Sequence, residues 1–438
     1  MIKRLHLKNF SCFEDQEVVF TDGRGTIKQK VFVVGENGSG KTALLESFAF
    51  IKKLTMGLLI NDHLNHYNFK HAHSIEAFNL VEEVNGFKTI GFNHSMSLEY
   101  EFLINGDSLV YNLKFDDNGG LLHESLYKRT SRKKLMFYEY NKKTLEFGYG
   151  IILNKKEAWV RSLIEKHDHE YTLLGILSFA VLKNNIHVKE DLKNLINFIA
   201  DSFVSVPGYF YGLDYYNFFL DIKLDGPSGI VDEYTKTRLK TALPLLNGLI
   251  NYFYPHIEEI EIDTFKVDED QFKMEICLKK KFRNEIVKIC SDNFSNGFKN
   301  MIYLSYALLS MYEGKFVMVD DFTENVQYKT LEHLINSVMI EFEQQVIVSL
   351  NGLDALEIVD PNSIYIVHYR NGSHYIDSLS DIASIRANHN IRKRYIEGVY
   401  TEVPQYGKLP FREITNYRND MDNLDIHNFT QNKYGIKE

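Results

Sequence analysis

One glycine-rich stretch constrains the fold of this 438-residue chain more than any other feature. It follows a short β-branched run, residues 30–34, and precedes an apolar pattern typical of a helix, residues 42–54. The stretch reads Gly35-Glu36-Asn37-Gly38-Ser39-Gly40-Lys41-Thr42, which matches the pattern GxxxxGK(S/T) at every fixed position. Because that pattern requires the order strand, loop, helix, the sequence predicts a phosphate-binding loop in an α/β fold.

The chemistry of this phosphate loop (residues 35–42) gives each residue type a task. Glycines let backbone N–H groups turn toward phosphate oxygens, and the following helix adds its positive N-terminal end. Lys41 is expected to reach the β- and γ-phosphates, and the Thr42 hydroxyl to bind magnesium. A carboxylate that follows a buried strand completes such sites, and Asp320 and Asp321 follow residues 316–319. The sequence predicts ATP and Mg²⁺ as cofactors, with Thr42 and Asp320 as metal ligands.

The formal net charge of −9 and the sequence pI of about 6.0 argue against a general affinity for nucleic acid and leave only local basic surfaces. The two basic clusters are Lys128, Arg129, Arg132, Lys133, Lys134 and Lys279, Lys280, Lys281, Arg283. Solvated hairpin ends are the favoured interpretation of both clusters, with phosphate binding as the alternative. The aromatic segment at residues 206–220 has two interpretations as well, a buried core segment or a stacking platform.

The cysteines and the apolar runs predict a compartment. Cys12, Cys277 and Cys290 lie far apart without CxxC spacing, so neither a disulfide framework nor a zinc site is expected. The longest apolar stretch, residues 171–182, is too short to span a membrane, and the first ten residues lack a signal-peptide core. These features predict a cytoplasmic protein without a membrane partner. The histidines His63, His66, His71 and His73 have no accompanying ligands at a metal-site spacing.

Periodicity along the chain predicts the order of its parts. Residues 2–8 and 17–20 form an antiparallel ribbon, and Asn105-Gly106-Asp107 turns a hairpin, because Asn-Gly supplies the positive φ that such turns need. A helical pattern over residues 155–253 precedes a three-stranded meander and a closing parallel α/β unit, residues 296–350. The predicted domains are a nucleotide-binding lobe (1–85 and 313–404), an inserted β arm (86–155), a helical lobe with the meander and a signature helix (156–312), and a tail (405–438).

Several segments resemble the ABC superfamily. Residues 294–298 (FSNGF) and 320–325 (DDFTEN) are similar to its signature and to its Walker B segment with the D-loop, in the correct order after the phosphate loop. The first twenty residues resemble the N-terminal ribbon of the RecF/SMC-like branch. Residues 390–398 (NIRKRYIEG) resemble the ending of single-chain bacterial phage-defence ATPases of the abortive-infection, PARIS type. The resemblance covers residues 1–55 and 290–404 and implies a two-lobed ABC-type ATPase head.

The resemblance also implies roles for individual residues. Ser295 and Gly297 would contact, in trans, the nucleotide of a second subunit, although Ser295 is equally suited to cap the following helix. Asp321 stands where the family has a catalytic glutamate, and Asn351 where it has a switch histidine. No glutamine occurs between Gln29 and Gln271, so the family's Q-loop ligand is absent there. These departures predict an ATPase that binds nucleotide and hydrolyses it slowly.

The function expected from the resemblance is an ATP-binding switch in bacterial anti-phage defence. Such a chain would form an ATP-dependent homodimer or higher homo-oligomer and control a separate effector protein, such as a nuclease. Two alternatives remain open at this point. One is a RecF/SMC-like DNA-maintenance ATPase, and the other is a nucleotide-sensing scaffold with little hydrolysis.

Overall fold

The computed structural model describes residues 1–66, 77–89, 94–130, 133–142, 144–149, 151, 156–167, 169–206, 209–211, 228–268, 271–283, 285–290, 293–323, 326–370, 372–385 and 389–401. The strands within them are β1 (Ile2–Phe10), β2 (Phe13–Val19), β3 (Lys30–Gly35), β4 (Met96–Ile104), β5 (Asp107–Phe115), β6 (Leu121–Arg129), β7 (Lys134–Asn141), β8 (Thr144–Phe147), β9 (Phe203–Val206), β10 (Tyr209–Tyr211), β11 (Ser228–Asp232), β12 (Ile257–Asp268), β13 (Gln271–Phe282), β14 (Glu285–Cys290), β15 (Val317–Val319), β16 (Val346–Ser349), β17 (Ile364–Arg370) and β18 (Ser373–Ser378). The α-helices are α1 (Lys41–His66), α2 (Leu80–Phe87), α3 (Glu157–Lys166), α4 (Leu173–Leu182), α5 (Glu190–Asp201), α6 (Glu233–Phe253), α7 (Asn296–Tyr312), α8 (Tyr328–His333), α9 (Leu379–Ile382) and α10 (Ile391–Ile396).

A central sheet of seven strands holds the phosphate loop, in the order β10-β9-β15-β16-β3-β17-β18. Its five inner strands run parallel, and α8 lies in the crossover from β15 to β16, which confirms the predicted α/β class. A second seven-stranded sheet, in the order β2-β1-β4-β5-β6-β7-β8, is antiparallel. A third sheet contains the meander, with β11, β12 and β14 around β13.

Strand β3 is buried on both faces, as parallel strands covered by other layers are. Val31 and Val33 point into one hydrophobic core, which also contains the apolar residues of α1, α4 and the antiparallel sheet. Phe32 and Val34 point into a second core, which contains the apolar residues of α7 and of the meander. The phosphate loop therefore leaves the sheet at a strand that is held from both sides.

The helix that follows the loop is fixed by α4 and by one buried acid. A Cβ at Gly175 of α4 would lie only 2.6 Å from the carbonyl oxygen of Leu54 in α1, so glycine permits this close packing. Glu124, on β6, is fully buried and accepts hydrogen bonds from the backbone N–H groups of Leu173 (2.6 Å) and Leu174 (2.8 Å). The acid thereby caps the first turn of α4.

Most of the predicted β structure is confirmed. Strands β1 and β2 form the ribbon, and β4 and β5 form the hairpin, in which Asn105 (φ 50°) and Gly106 (φ 86°) adopt the positive φ values of a tight turn. The three runs of the meander are present as β12, β13 and β14. Strand β4 also pairs with β1, so the strands predicted as an arm continue the sheet of the N-terminal ribbon.

The helical prediction for residues 155–253 is wrong at β11, which pairs with β13, and at β9. This four-residue strand lies in the central sheet, parallel to β15, and all four of its residues are buried. A short apolar run that is buried on every side has no alternation to separate a strand from a helix. The tertiary pairing with β15 decides the structure.

The prediction that the cysteines form no disulfide is also wrong. Cys277 on β13 and Cys290 on β14 are directly opposite in the antiparallel register and are joined by a disulfide. Spacing along the chain does not reveal such a pair, because the turn between two strands brings distant residues face to face. Asp263 lies beside the two sulfurs, but sulfurs bonded to each other offer no thiolate to a metal.

Several sequence predictions concern residues outside the described ranges. They are Arg132 of the first basic cluster, His71 and His73, the aromatic residues 212–220, Glu324 and Asn325, and the tail at residues 405–438. Among the helices in the described part of the chain, none combines the length and apolarity that crossing a bilayer would require.

Candidate nucleotide-binding site

Three glycines of the phosphate loop are required by its geometry. A Cβ at Gly35 would lie 2.4 Å from the carbonyl oxygen of Val367 on the neighbouring strand, and one at Gly40 would lie 2.7 Å from Cys12 Sγ. Gly38 (φ 80°) and Gly40 (φ 112°) adopt backbone conformations that side chains disfavour. The loop is therefore a tightly enclosed turn whose backbone is available to a ligand.

Lys41 is held inside this turn. It is 7% exposed, and its Nζ donates hydrogen bonds to the carbonyl oxygens of Gly35 (2.8 Å) and Glu36 (3.3 Å). Burial lowers the pKa of the Lys41 amine, while the carboxylates of Asp321 and Asp320 oppose that shift. The loop thus contains a lysine that is largely shielded from water, and its positive charge is stabilised by two nearby carboxylates.

Ser39 provides an independent sign that the loop is suited to hold a ligand. Its Oγ is buried and has no hydrogen-bond partner among the described residues, which is costly for a hydroxyl. A phosphate oxygen in the loop would satisfy it. The carbonyl oxygen of Ser39 is already engaged, because it accepts a hydrogen bond of 2.6 Å from Nδ1 of His374 on β18.

The acidic strand end meets the loop directly. Oδ2 of Asp320 accepts a hydrogen bond of 2.7 Å from Oγ1 of Thr42, although the two residues are 278 positions apart. Oδ1 of Asp320 accepts a second hydrogen bond, from the hydroxyl of Ser349 at the end of β16. Since β16 lies between β3 and β15, Ser349 stands between the two strands that carry the loop and the acid.

The group around Thr42 fits a divalent cation. Magnesium prefers oxygen ligands, and Thr42, Asp320 and the nearby Glu46 supply a hydroxyl and two carboxylates. Glu46 lies one turn after Thr42 in α1, and its pKa is raised first by burial and then by the charge of Asp320. A bound Mg²⁺ would relieve this repulsion between carboxylates. When bound with nucleotide, the ion would neutralise charge on the phosphate oxygens.

Asp321 and Asn351 are in direct contact. The amide nitrogen of Asn351 donates a hydrogen bond to Oδ1 of Asp321, and the backbone N–H of Asp321 donates to Oγ of Ser349 over 2.8 Å. Asp321 has φ 52°, in the left-handed region, which aspartate and asparagine tolerate better than longer side chains do. This backbone conformation gives a structural reason for a short acid where the ABC-type pattern that the sequence resembles has glutamate.

Ser295 and Gly297 begin α7. Ser295 is exposed and caps the helix, because its Oγ accepts a hydrogen bond of 3.3 Å from the N–H of Phe298. Phe298 and Met301 are buried in the second core, so the start of this helix is anchored while Ser295 remains accessible. The capping alternative is confirmed, and a contact in trans stays a prediction.

Each of the two basic clusters is partly paired with acidic residues of the chain. Nζ of Lys128 lies 2.6 Å from Asp107 and 3.1 Å from Asp191, and Arg129 contacts the buried carboxylate of Glu101 at 2.9 Å. In the second cluster, Lys279 contacts two glutamates, Glu259 and Glu261. These ion pairs favour the interpretation of the clusters as hairpin surface rather than as sites for nucleic acid.

Three site residues were not predicted from the sequence. Ser349 could have been found from its position at a strand end two residues before Asn351, and Glu46 from its helical spacing of four residues after Thr42. His374 carries no such signal. Its contact with Ser39 depends on the pairing of β17 with β3, which nothing in the local pattern indicates.

Comparison with known families supports the nucleotide site. Residues 4–201 match the family model of an AAA domain. The AAA domain match contains β3, the phosphate loop and α1, and ends before Asp320. The N-terminal half of the chain is thus similar to an AAA domain. Asp320 and Asp321 lie outside the matched segment, and the folding of the chain brings Asp320 into contact with the phosphate loop.

The chain is also similar in structure to head domains of SMC proteins. Similar structures include an SMC head bound to the C-winged helix domain of ScpA, with 12% identity, a TM-score of 0.40 and coverage of 86% of this chain and 96% of that chain. The SMC head domain from Thermotoga maritima has 16% identity and a TM-score of 0.38, and the match covers 88% of this chain and 99% of that chain. No curated protein matches the chain.

Proposed function

We propose that this protein is an ATP-binding switch with slow ATPase activity, built as an ABC-type head. The observation that carries the proposal is the hydrogen bond of 2.7 Å between Thr42 and Asp320, which joins the phosphate loop to the acidic strand end. Lys41 and the loop N–H groups bind the phosphates, while Thr42 and Asp320 hold Mg²⁺. Asp321, oriented by Asn351, accepts the proton of the attacking water.

The hydrolytic part of this proposal is tested by lengthening the acid. Asp321→Glu extends the carboxylate by one methylene toward the attacking water, and we expect faster single-turnover hydrolysis of ATP. Since an error of about 1 Å in placing a catalytic group costs on the order of 100-fold in rate, the gain lies between a few-fold and about 100-fold. Because φ at Asp321 is 52°, a small loss of thermal stability is expected with it.

The control is Asp321→Asn, which keeps a residue that tolerates the left-handed backbone but removes the charge. We expect this variant to bind ATP normally and to hydrolyse it more slowly than the wild type. If both variants hydrolyse ATP at an unchanged rate, the base is another residue and the role given to Asp321 is wrong.

Assembly is the second part of the proposal. Ser295, exposed at the start of a helix, is suited to approach the γ-phosphate bound by a second subunit, because a helix N-terminus favours anions. Ser295→Arg places a large charged side chain at that position, so we expect unchanged ATP affinity of the monomer and loss of ATP-dependent association. Sedimentation velocity with and without Mg-ATP measures the difference.

A matched substitution separates a contact from a lost cap. Ser295→Asp retains an acceptor for the N–H of Phe298 but adds a negative charge near the γ-phosphate. It is therefore expected to preserve the thermal stability of the chain and still to prevent association. Equal assembly by the wild type and both variants would rule out a shared nucleotide at Ser295.

The biological role we propose is control of a separate effector, such as a nuclease, in bacterial anti-phage defence in the cytoplasm. Its support is the resemblance of residues 390–398 to the ending of phage-defence ATPases. These residues include α10, whose Tyr395 is buried against the second core. The test is survival of phage-challenged cells that express the chain with its neighbouring genes, compared with cells whose variant cannot bind nucleotide.

A further inference from the structure

A hairpin of two strands lies beside the phosphate loop and has no part in the chemistry described so far. Its first strand, β17, pairs with β3 so that Val367 is opposite Gly35. Its second strand, β18, contacts the loop itself, where Nδ1–H of His374 donates its hydrogen bond of 2.6 Å to the carbonyl oxygen of Ser39. The hairpin is therefore fixed to the loop at two points.

The direction of a bound nucleotide follows from the position of the acidic residues. Asp320, at the end of β15, would hold the ion that neutralises the terminal phosphates, so a nucleotide in the loop would have its γ-phosphate on that side. In the sheet order β15-β16-β3-β17-β18, that end is on one side of the loop strand β3. The ribose and base would then extend to the other side of β3, where the hairpin lies.

The hairpin presents an aromatic surface on that side. Tyr369 and His374 are directly opposite each other in the register, so their side chains share one face, and their ring centroids are 5.0 Å apart. Val367, two residues before Tyr369 on the same face, is buried in the core that contains α1, the helix of the loop. Tyr369 is nevertheless 52% exposed.

We propose that Tyr369 and His374 form the stacking surface for the purine base of the bound nucleotide. This inference rests on the proposed function, because it assumes that the phosphates occupy the loop. An exposed tyrosine ring stacks on any base face, and a stacking contact contributes about 1–3 kcal/mol to binding. His374 positions the surface, because its hydrogen bond to Ser39 ties the ring to the loop that holds the phosphates.

The test compares two ligands that share the phosphate chain and differ in the base. Mg-ATP and Mg-tripolyphosphate are titrated into the full chain by calorimetry. For Tyr369→Ala we expect ATP binding to weaken by about 5- to 150-fold, the equivalent of a lost stacking contact, while tripolyphosphate affinity is unchanged. Tyr369→Phe keeps the ring and is expected to bind ATP as the wild type does.

The matched control is Tyr375→Ala. Tyr375 is also partly exposed on the hairpin, but it pairs with His368 on the opposite face from Tyr369. Its removal should leave the affinity for both ligands unchanged. The proposal is overturned if Tyr369→Ala binds ATP as tightly as the wild type, or if it weakens both ligands equally. Failure of the wild type to bind either ligand would instead refute the proposed function.

Discussion

Replacement of Lys41 by alanine is expected to abolish tight ATP binding and leave the fold intact. The side chain is the buried cation of the phosphate loop, and its bonds to the carbonyl oxygens of Gly35 and Glu36 can be exchanged for bonds to phosphate. Its loss removes charge-assisted hydrogen bonds worth about 1.5–3 kcal/mol each, so we expect at least about 100-fold weaker binding by calorimetry. Circular dichroism spectra should be unchanged.

Lys30 offers a closely matched control. Lys30 lies at the start of β3, the strand that leads into the phosphate loop. Its Nζ also donates to two backbone carbonyl oxygens, those of Phe342 (2.7 Å) and Gln344 (2.9 Å). Burial lowers the pKa of Lys30 to about 8, so it too is a lysine taken out of water. Lys30→Ala is expected to reduce stability without changing ATP affinity. Unchanged ATP affinity in Lys41→Ala would refute the phosphate-loop assignment.

Replacement of Glu124 by alanine is expected to give the largest loss of stability among the substitutions considered. Its carboxylate accepts hydrogen bonds from the hydroxyl groups of Tyr111 (2.9 Å) and Tyr138 (2.8 Å), in addition to the two N–H groups of α4. Burial raises the pKa of Glu124, and the donated hydrogen bonds oppose that shift. Alanine would remove the acceptor that these four buried donors share, at about 1–3 kcal/mol each before relaxation.

We expect the free energy of unfolding to fall by on the order of 4 kcal/mol, measured by urea denaturation. Glu139→Ala on the adjacent strand β7 is the control, because Glu139 is partly exposed and its side-chain partner in the described part of the chain is His123 (3.2 Å), a surface contact worth about 0–1 kcal/mol. A loss for Glu124→Ala as small as that for Glu139→Ala would mean that the acid does not anchor α4.

The phosphate loop and its acidic partner could be predicted from the sequence because both are defined locally. Glycines, Lys41 and Thr42 occupy fixed positions, and Asp320 follows a short apolar strand. The partners that depend on tertiary pairing could not be predicted. Ser349 enters the site only because β16 lies between β3 and β15, and His374 only because β17 pairs with β3.

The same division applies to the fold. Hairpins and the meander were predicted because turn residues and alternation fix them over a few positions, as at Asn105 and Gly106. Strand β9 was missed because its burial on both faces removes the alternation that identifies a strand. The pairing of Cys277 with Cys290 was missed because it depends on the register between β13 and β14 rather than on spacing.

The position of β3 in the sheet has a consequence for synthesis of the chain on the ribosome. Both hydrogen-bonded neighbours of this strand, β16 and β17, come from the last third of the sequence. During synthesis, β3 lacks both of these neighbours while about 300 further residues are made. This takes roughly 15–60 s at ordinary elongation rates. Unpaired strand edges invite association with other chains, so this interval is when the nascent protein most needs a chaperone. Both edges of the strand that leads into the phosphate loop are therefore paired only once the C-terminal strands have joined the sheet.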